Sequence, residues 1–172
     1  MVPAVIGLLG RSRSGKDTVA NMIMSKYPEY TIVRLSAPLK QAAAALYHLT
    51  PEQLETDQKE IPDPRWNKTP RQLIQSLTDH VMQTMGHDFF TKRLYDSIQP
   101  NQPIIIPDVR YPHDITEIIN RRGIVIKITR PGNPIQHPFE NHIDQLTGTH
   151  HLINDSTIEN LANQISKSSW FR

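Results

Sequence analysis

Cysteine is absent from the 172 residues. That excludes disulfides, thiolate zinc sites and thiol catalysis, and leaves the redox compartment undetermined. No apolar run approaches the ~20 residues of a membrane span. The opening "MVPAVIGLLG" has no basic leader region, so neither signal peptide nor membrane partner is expected, and the cytoplasm is the expected compartment. Surplus charge is missing too: the formal net charge is +2. The positive charge is local, with Arg11, Arg13 and Lys16 in one short loop. That pattern suits a small polyanion, and a stable nucleic-acid partner would want a broad basic stripe. Internal repeats and low-complexity tracts are lacking as well. With 37% hydrophobic and 21% charged residues the composition is that of a globular chain rather than a disordered one. Its length suits one domain, spanning 1–172, with small insertions.

What is present starts with "GRSRSGKDT", residues 10–18. Gly10 to Lys16 fits G-x-x-x-x-G-K, the spacing of a phosphate-binding loop. Glycines allow successive N–H groups to aim inward, the following helix adds its positive end, and a lysine supplies a mobile cation. The context is right: "PAVIGLL" (3–9) reads as a buried strand and "KDTVANMIMSKY" (16–27) as a helix with Val19, Ile23 and Met24 inward. Gly10, Arg13, Ser14, Gly15, Lys16, Asp17 and Thr18 are therefore the candidate residues for ATP. Asp17 holds the slot where a magnesium-binding hydroxyl is usual, with Thr18 next. A carboxylate reaches Mg²⁺ directly or through water. It also suits the first turn of a helix without any metal, and both readings stand.

Further along, "YTIVRLS" (30–36), "PIIIPD" (103–108), terminated by Pro107 and Asp108, "IVIKITR" (124–130) and "HLIN" (151–154) read as strands. "APLKQAAAALYHL" (37–49), "PRQLIQSLTDHVMQTM" (70–85), "HDFFTKRLYDSI" (87–98) and "HDITEIINRR" (113–122) read as helices. Leu73, Ile74, Leu77, Val81 and Met85 are expected inward on the second of these, and Ile115, Ile118 and Ile119 on the last. A final helix over 156–167 is expected to be capped by Ser156, with Glu159 completing a capping box. Residues 50–69 and 131–150 hold three prolines each and read as a polar excursion and a flap. Alternating strands and helices predict an α/β fold with a mostly parallel sheet flanked by helices on both faces. Ligands of such sheets bind beyond the carboxyl ends of the strands, so the segments following each strand should converge there.

"SGKDT", "LSAPLK" (35–40), "TPRQLIQSL" (69–77) and "IIIPDVRYPHD" to "ITRPG" (104–132), followed by "NHI" and "LINDST", resemble in order the phage-type deoxynucleoside monophosphate kinases. The likeness runs over most of residues 5–165. It implies a P-loop NTPase-like three-layer domain with about five strands, a substrate-binding helical insertion near 50–98 and a lid near 131–150. It also implies transfer of the γ-phosphate of ATP, with Mg²⁺, to a nucleotide 5′-phosphate. By the same resemblance, Lys16, Arg110 and Arg130 are catalytic cations, and Asp17, Thr18 and Asp108 serve the metal. Asn154 and Asp155 border the adenine. Ser36, Lys40, Arg71, Gln75, Asp108, Arg110 and His142 lie on the acceptor side. Arginine suits that work because its planar fork gives two parallel hydrogen bonds to phosphate. Asp108 and Arg110 can equally form a local ion pair at a strand end, and Gln75 reads a base edge or is a polar face.

Some positions depart from the pattern. Thr78-Asp79-His80 replaces Gly-Thr-Asp, Phe90 stands where tryptophan is typical, and His142-Ile143-Asp144-Gln145 lacks the expected terminal glutamate. These changes bear on base and sugar specificity. His113, His137, His142, His150 and His151 match no tight zinc spacing and read as ordinary polar or substrate-side residues. Trp66 reads as a base-stacking residue or a loop anchor. Two rival functions follow from the loop: a phosphomevalonate kinase, whose loop also reads Ser-Gly-Lys-Asp, and a non-catalytic nucleotide-binding module. Dimerisation is left open.

Overall fold

A computed structural model describes residues 3–134 and 140–170. The chain divides into two compact units, one from Met1–Arg34 with Leu94–Arg172 and the other Leu35–Arg93. The first unit carries the sheet: β1 (Val5–Leu9), β2 (Thr31–Ile32), β3 (Ile104–Val109), β4 (Ile124–Thr129) and β5 (His150–Ile153). All pair in parallel in the order β2-β3-β1-β4-β5. Strands buried on both faces are apolar throughout rather than alternating, and β1 is "VIGLL" with every residue buried.

Period-two alternation still assigns the faces. Ile6, Leu8, Ile105, Ile126, Ile128 and Leu152 pack with α1 (Lys16–Lys26) and α8 (Ile158–Lys167) through Val19, Ile23, Leu161 and Ile165. Helix α6 (Pro112–Asn120) packs on β1 and β4, with Ile118 pressed toward Gly7. This is the three-layer arrangement expected. Met24 only adjoins the core, and Ile119 is 47% exposed instead of inward, because the buried stripe of the short α6 narrows to Asp114 and Ile118.

Two strand expectations change. β2 is two residues long rather than spanning 30–36, since it pairs only with β3, at the sheet edge. Pro107 does not end β3: the register against β1 slips between Gly7 and Leu9, so an extra residue is taken up where the proline lacks an N–H. Helix α8 is capped by Thr157, which accepts from the Asn160 amide, so Ser156 and Glu159 are not its capping pair. The expected flap contains a short helix, α7 (Asn141–Gln145), and gives way to β5 at His150. Its residues 135–139, His137 among them, lie outside the described residues.

The second unit holds α2 (Ala37–Tyr47), α3 (Pro51–Glu55), a 3₁₀ turn (Asp57–Glu60) and α4 (Pro70–Met85); α5 (Phe89–Ser97) follows. Helices α3 and α4 both begin Thr-Pro-x-Gln, and both show a reciprocal capping box with proline at the first turn. Ala43, Leu49 and Leu73 form the core, joined by Leu54, Ile74 and Leu77. Met85 is 59% exposed, and Met82 is the buried methionine of α4. Asp63 organises the excursion before α4: only 4% exposed, it accepts from the Arg65 backbone, from Nε and a terminal nitrogen along one edge of the Arg65 guanidinium, and from Gln53. Trp66 is a loop anchor, donating to the Tyr47 carbonyl at 3.0 Å and meeting its ring edge-on.

The Arg65 guanidinium, with the Arg65 backbone and Gln53, holds the Asp63 carboxyl below the usual carboxylate range. A depressed folded pKa contributes stability that is whole above the unfolded value near 4 and is lost as pH falls below it. The melting-temperature advantage of the wild type over Asp63→Asn should therefore be constant from pH 7 to 5 and shrink between about pH 4 and 2. A gap that ignores pH would assign the effect to shape rather than charge.

Candidate active site

In the loop between β1 and α1 each carbonyl from Gly10 to Gly15 accepts a hydrogen bond. Lys16 Nζ donates to the carbonyls of Gly10 at 2.8 Å and Arg11 at 2.6 Å. Asn133 Nδ2 takes the Ser12 carbonyl at 2.7 Å, Arg130 reaches that of Arg13 at 3.4 Å, and Asn154 Nδ2 takes that of Ser14 at 2.9 Å. The Gly15 carbonyl accepts the first helical bond, from Val19. The N–H groups of the first turn of α1 have no acceptors within the helix and carry its positive end. Arg13 holds φ 59, a strained angle for a side-chain-bearing residue of the kind found at ligand clamps.

Two glycines are required by close approach. A Cβ on Gly10 would come 2.5 Å from the Ile128 carbonyl oxygen and 2.7 Å from Ser14 Oγ. Gly15 has φ 104, and a Cβ there would sit 2.6 Å from Asn154 Nδ2. Ser14 Oγ is buried without a hydrogen-bond partner among the described residues. A buried hydroxyl with unspent donor capacity beside a glycine cradle fits a phosphate oxygen.

Lys16 is the electrostatic centre. Burial pushes its ammonium down to about 8, Arg110 adds to the fall, and Asp17, Glu140 and Asp108 oppose it. Lys16 thus lies within electrostatic reach of Asp17, Asp108, Arg110 and Glu140. The bulge in β3 falls beside Asp108, where such irregularities re-aim side chains. Arg110 and Tyr111 are fixed next to it: both backbone N–H groups donate to Asp114 Oδ2, at 3.1 and 3.0 Å. His142 stacks on Tyr111, and its Nε2 lies 2.9 Å from the Arg110 carbonyl, so it meets the backbone of that loop.

Asp17 pairs with Arg34 at 2.7 Å, and Thr18 is exposed at the start of a groove between α1 and α8. Asp155 is exposed beyond Asn154. Asp17, Thr18 and Asp108 offer oxygen donors only, as Mg²⁺ prefers. Among the described residues no three His, Cys, Asp or Glu cluster as a metal cage. An ion held by one or two carboxylates with substrate phosphates fits this set. No zinc site forms from the described histidines: His113 faces Asp114 and stacks on Tyr111, and His151 meets Thr129.

In the second unit Lys40 bonds both oxygens of Glu55 at 2.8 Å. Arg71 meets Glu60 through Nε at 2.8 Å and through its terminal nitrogen at 2.7 Å. Gln75 donates to Asp79, and Ser36 stands at the N-terminus of α2 without a capping bond from its side chain. Sequence reading missed Arg34, Asp114, Asn133, Glu140 and Asp144. The spacing from Arg110 to Asp114 in "RYPHD", at the start of a helix, was a readable capping signal. For the others no local pattern exists, because their partners lie more than a hundred residues away, or, for Arg34, across a strand and a helix.

No family model matches the chain. A protein of Acanthamoeba polyphaga mimivirus, described as "Putative deoxynucleotide monophosphate kinase", is 31% identical, with 94% of this chain and 93% of that protein covered. The chain belongs to the deoxynucleotide monophosphate kinase family. Shikimate kinase from Aquifex aeolicus has the same fold, with a TM-score of 0.50 at 13% identity over 94% of this chain and 93% of that one. A protein of Chloroflexus aurantiacus titled a putative kinase gives 0.50 at 12%, over 96% and 95%. The fold of this family member is that of a P-loop kinase, and the chain is a nucleotide or small-molecule kinase. Among the described residues no helix is long and apolar enough to cross a membrane.

Gly15→Ala should lower the unfolding free energy by about 1–3 kcal/mol through strained backbone, beyond any contact with Asn154. Urea denaturation of Gly15→Ala, Asn154→Ala and the double variant separates the two. The cost of the glycine change should be smaller once Asn154 is truncated, and strict additivity would mean that the side chains do not meet.

Proposed function

We propose that this kinase uses Mg·ATP to phosphorylate deoxynucleoside monophosphates, giving the diphosphate and ADP by in-line transfer of the γ-phosphoryl group. The observation that carries the reading is the loop whose carbonyls are already bonded, two of them to Lys16, at the start of α1. Bonded carbonyls, the positive end of a helix and a cation suit a triphosphate. Gly10, Arg13, Ser14, Gly15, Lys16, Asp17 and Thr18 hold the phosphate tail, with Asn154 and Asp155 beside the adenine.

The acceptor is itself a phosphate, ionised at neutral pH, so the chain need supply no general base. Its work is positioning and charge neutralisation. Lys16, Arg110 and Arg130 meet the charge that develops on the equatorial oxygens, and fixed cations in a water-poor site are worth far more than in bulk water. Bound Mg²⁺ would neutralise the donor phosphates, held by Asp108 with Asp17 and Thr18. Lys40 and Arg71 take the acceptor phosphate, exchanging their glutamates for it, because a dianion attracts either cation more strongly than an exposed carboxylate and also fits the planar fork of arginine. Ser36 and Gln75 complete that side. His142 acts there by holding the Arg110 backbone.

Initial rates with each dNMP and NMP, and with phosphomevalonate, under the same Mg·ATP conditions test the reading. ADP release should require a deoxynucleotide, and Lys16→Ala should reduce kcat by at least about a hundredfold with the circular dichroism unchanged. Turnover with phosphomevalonate alone, or nucleotide binding without turnover, would assign a different function. Arg71→Ala should raise the acceptor KM about tenfold or more, with the ATP KM nearly constant. Equal rises in both would remove Arg71 from the acceptor side.

A further inference from the structure

The apex of the phosphate loop is held from outside by one segment of chain. Ser12 has both backbone groups engaged by side chains of the stretch after β4: its N–H donates to Glu140 Oε1 at 2.7 Å, and its carbonyl accepts from Asn133 Nδ2 at 2.7 Å. Arg11 turns the same way. Its Nε donates to Asp144 Oδ1 at 2.9 Å, a terminal nitrogen meets Asp144 Oδ2, and the other donates to the Asn133 carbonyl at 3.0 Å. The stretch is itself anchored to the sheet, since Lys127 of β4 donates to the carbonyls of Asp144 at 2.8 Å and Leu146 at 2.7 Å.

Glu140 is the unexpected member. Its residue is 2% exposed, and its negative charge acts on both Arg11 and Lys16. A buried carboxylate beside a loop that receives an anion opposes that anion electrostatically. Burial of a charge is also costly unless it is well hydrogen-bonded. Its contribution to binding must therefore be geometric, through the Ser12 N–H. A loop whose apex is already ordered loses less freedom when a ligand arrives. Arg11 follows the same logic. Its guanidinium is committed to Asp144 and Asn133, and the Asp144 bond holds it charged.

We infer that Asn133, Glu140 and Asp144 are positioning residues that brace the Arg11–Ser12 apex of the phosphate loop, so that Arg11 serves nucleotide binding through Asp144 rather than as a phosphate ligand. The inference rests on the reading that residues 10–18 receive a nucleoside triphosphate. It assigns the described part of this stretch a fixed structural duty.

Two measurements on the full chain test it. The first needs no nucleotide: residue-resolved amide hydrogen exchange of Ser12. Glu140→Ala should speed that exchange at least about tenfold while the β3 amides keep their protection, and Glu140→Gln, which retains an acceptor oxygen, should restore most of it. Unchanged exchange in Glu140→Ala, or equal loss in both variants, would overturn the brace. The second is a cycle of Arg11→Ala, Asp144→Ala and the double variant, read as the Kd of a nonhydrolysable ATP analogue by calorimetry. Each single change should weaken binding about tenfold, and the double change no further. Loss in Arg11→Ala with wild-type affinity in Asp144→Ala would make Arg11 a direct ligand and sink the inference. A wild-type chain that binds no analogue would end the nucleotide reading, while the exchange experiment would still decide whether the brace exists. Should Glu140→Ala fail to fold, the Asp144→Ala exchange profile at Ser12 decides in its place, with faster exchange expected and an unchanged rate counting against the brace.

Discussion

Everything in the site depends on which way the peptide groups of residues 10–15 point. A peptide group has a donor end and an acceptor end on opposite sides, so fixing one fixes the other. Lys16, Asn133, Arg130 and Asn154 fix the acceptor ends, and the Val19 amide takes the last of them. These donors come from the loop's own helix, from the segment following β4, and from the end of β5. The parallel sheet is the reason they can meet: strands of one direction deliver their carboxyl ends to the same edge. The apolar runs "VIGLL" and "IVIKIT" thus do more than fill the core, since they bring residues far apart in sequence to one loop.

Charge is balanced locally. Arg11 carries Asp144 and Arg34 carries Asp17 in one unit, while Lys40 carries Glu55 and Arg71 carries Glu60 in the other. Such pairing accords with a formal charge of only +2. The exposed pairs of Lys40 and Arg71 hold their partners by about 1 kcal/mol or less and would yield to a phosphate, whose charge-assisted bonds are stronger. Arg11 differs, since the Asn133 carbonyl holds its guanidinium as well. Asp63 and Asp114 are the contrast, being nearly buried and each bonded to backbone amides as well as to side chains.

The parallel α/β fold and the glycine loop between β1 and α1 were legible because each has a local signature: apolar runs and a glycine spacing. Pro107 misled as a strand end, since a missing N–H can be absorbed by a bulge, and composition does not say which happens. Ser156 misled as a cap because Thr157 offers the same chemistry one residue later, with Asn160 in the right place to be capped. Asn133, Glu140 and Asp144 were illegible for a different reason. Their meaning lies in partners at positions 11 and 12, and no period or motif within their own segment encodes that pairing. The Thr-Pro-x-Gln starts of α3 and α4 were legible and still passed over, as one lay within a stretch read mainly by its prolines.

The carboxylate at position 17 is where the loop departs furthest from the common pattern, and magnitudes decide how far the departure matters. Asp17 and Arg34 are side chains 68% and 40% exposed, so their attraction is screened and amounts to about 0–1 kcal/mol. A divalent ion carries twice the charge and binds through oxygens that the loop's phosphate partner would also supply. Arg34 is therefore a weak competitor for Asp17. The exchange of hydroxyl for carboxylate changes the ligand offered to Mg²⁺ without closing the position to it. The hydroxyl function is also retained one residue on, at Thr18, which lies on the solvent side of the same helical turn. With its carbonyls bonded, a lysine among them and an acid at its helix start, the loop departs from the common pattern in the ligand it offers and not in its charge arrangement.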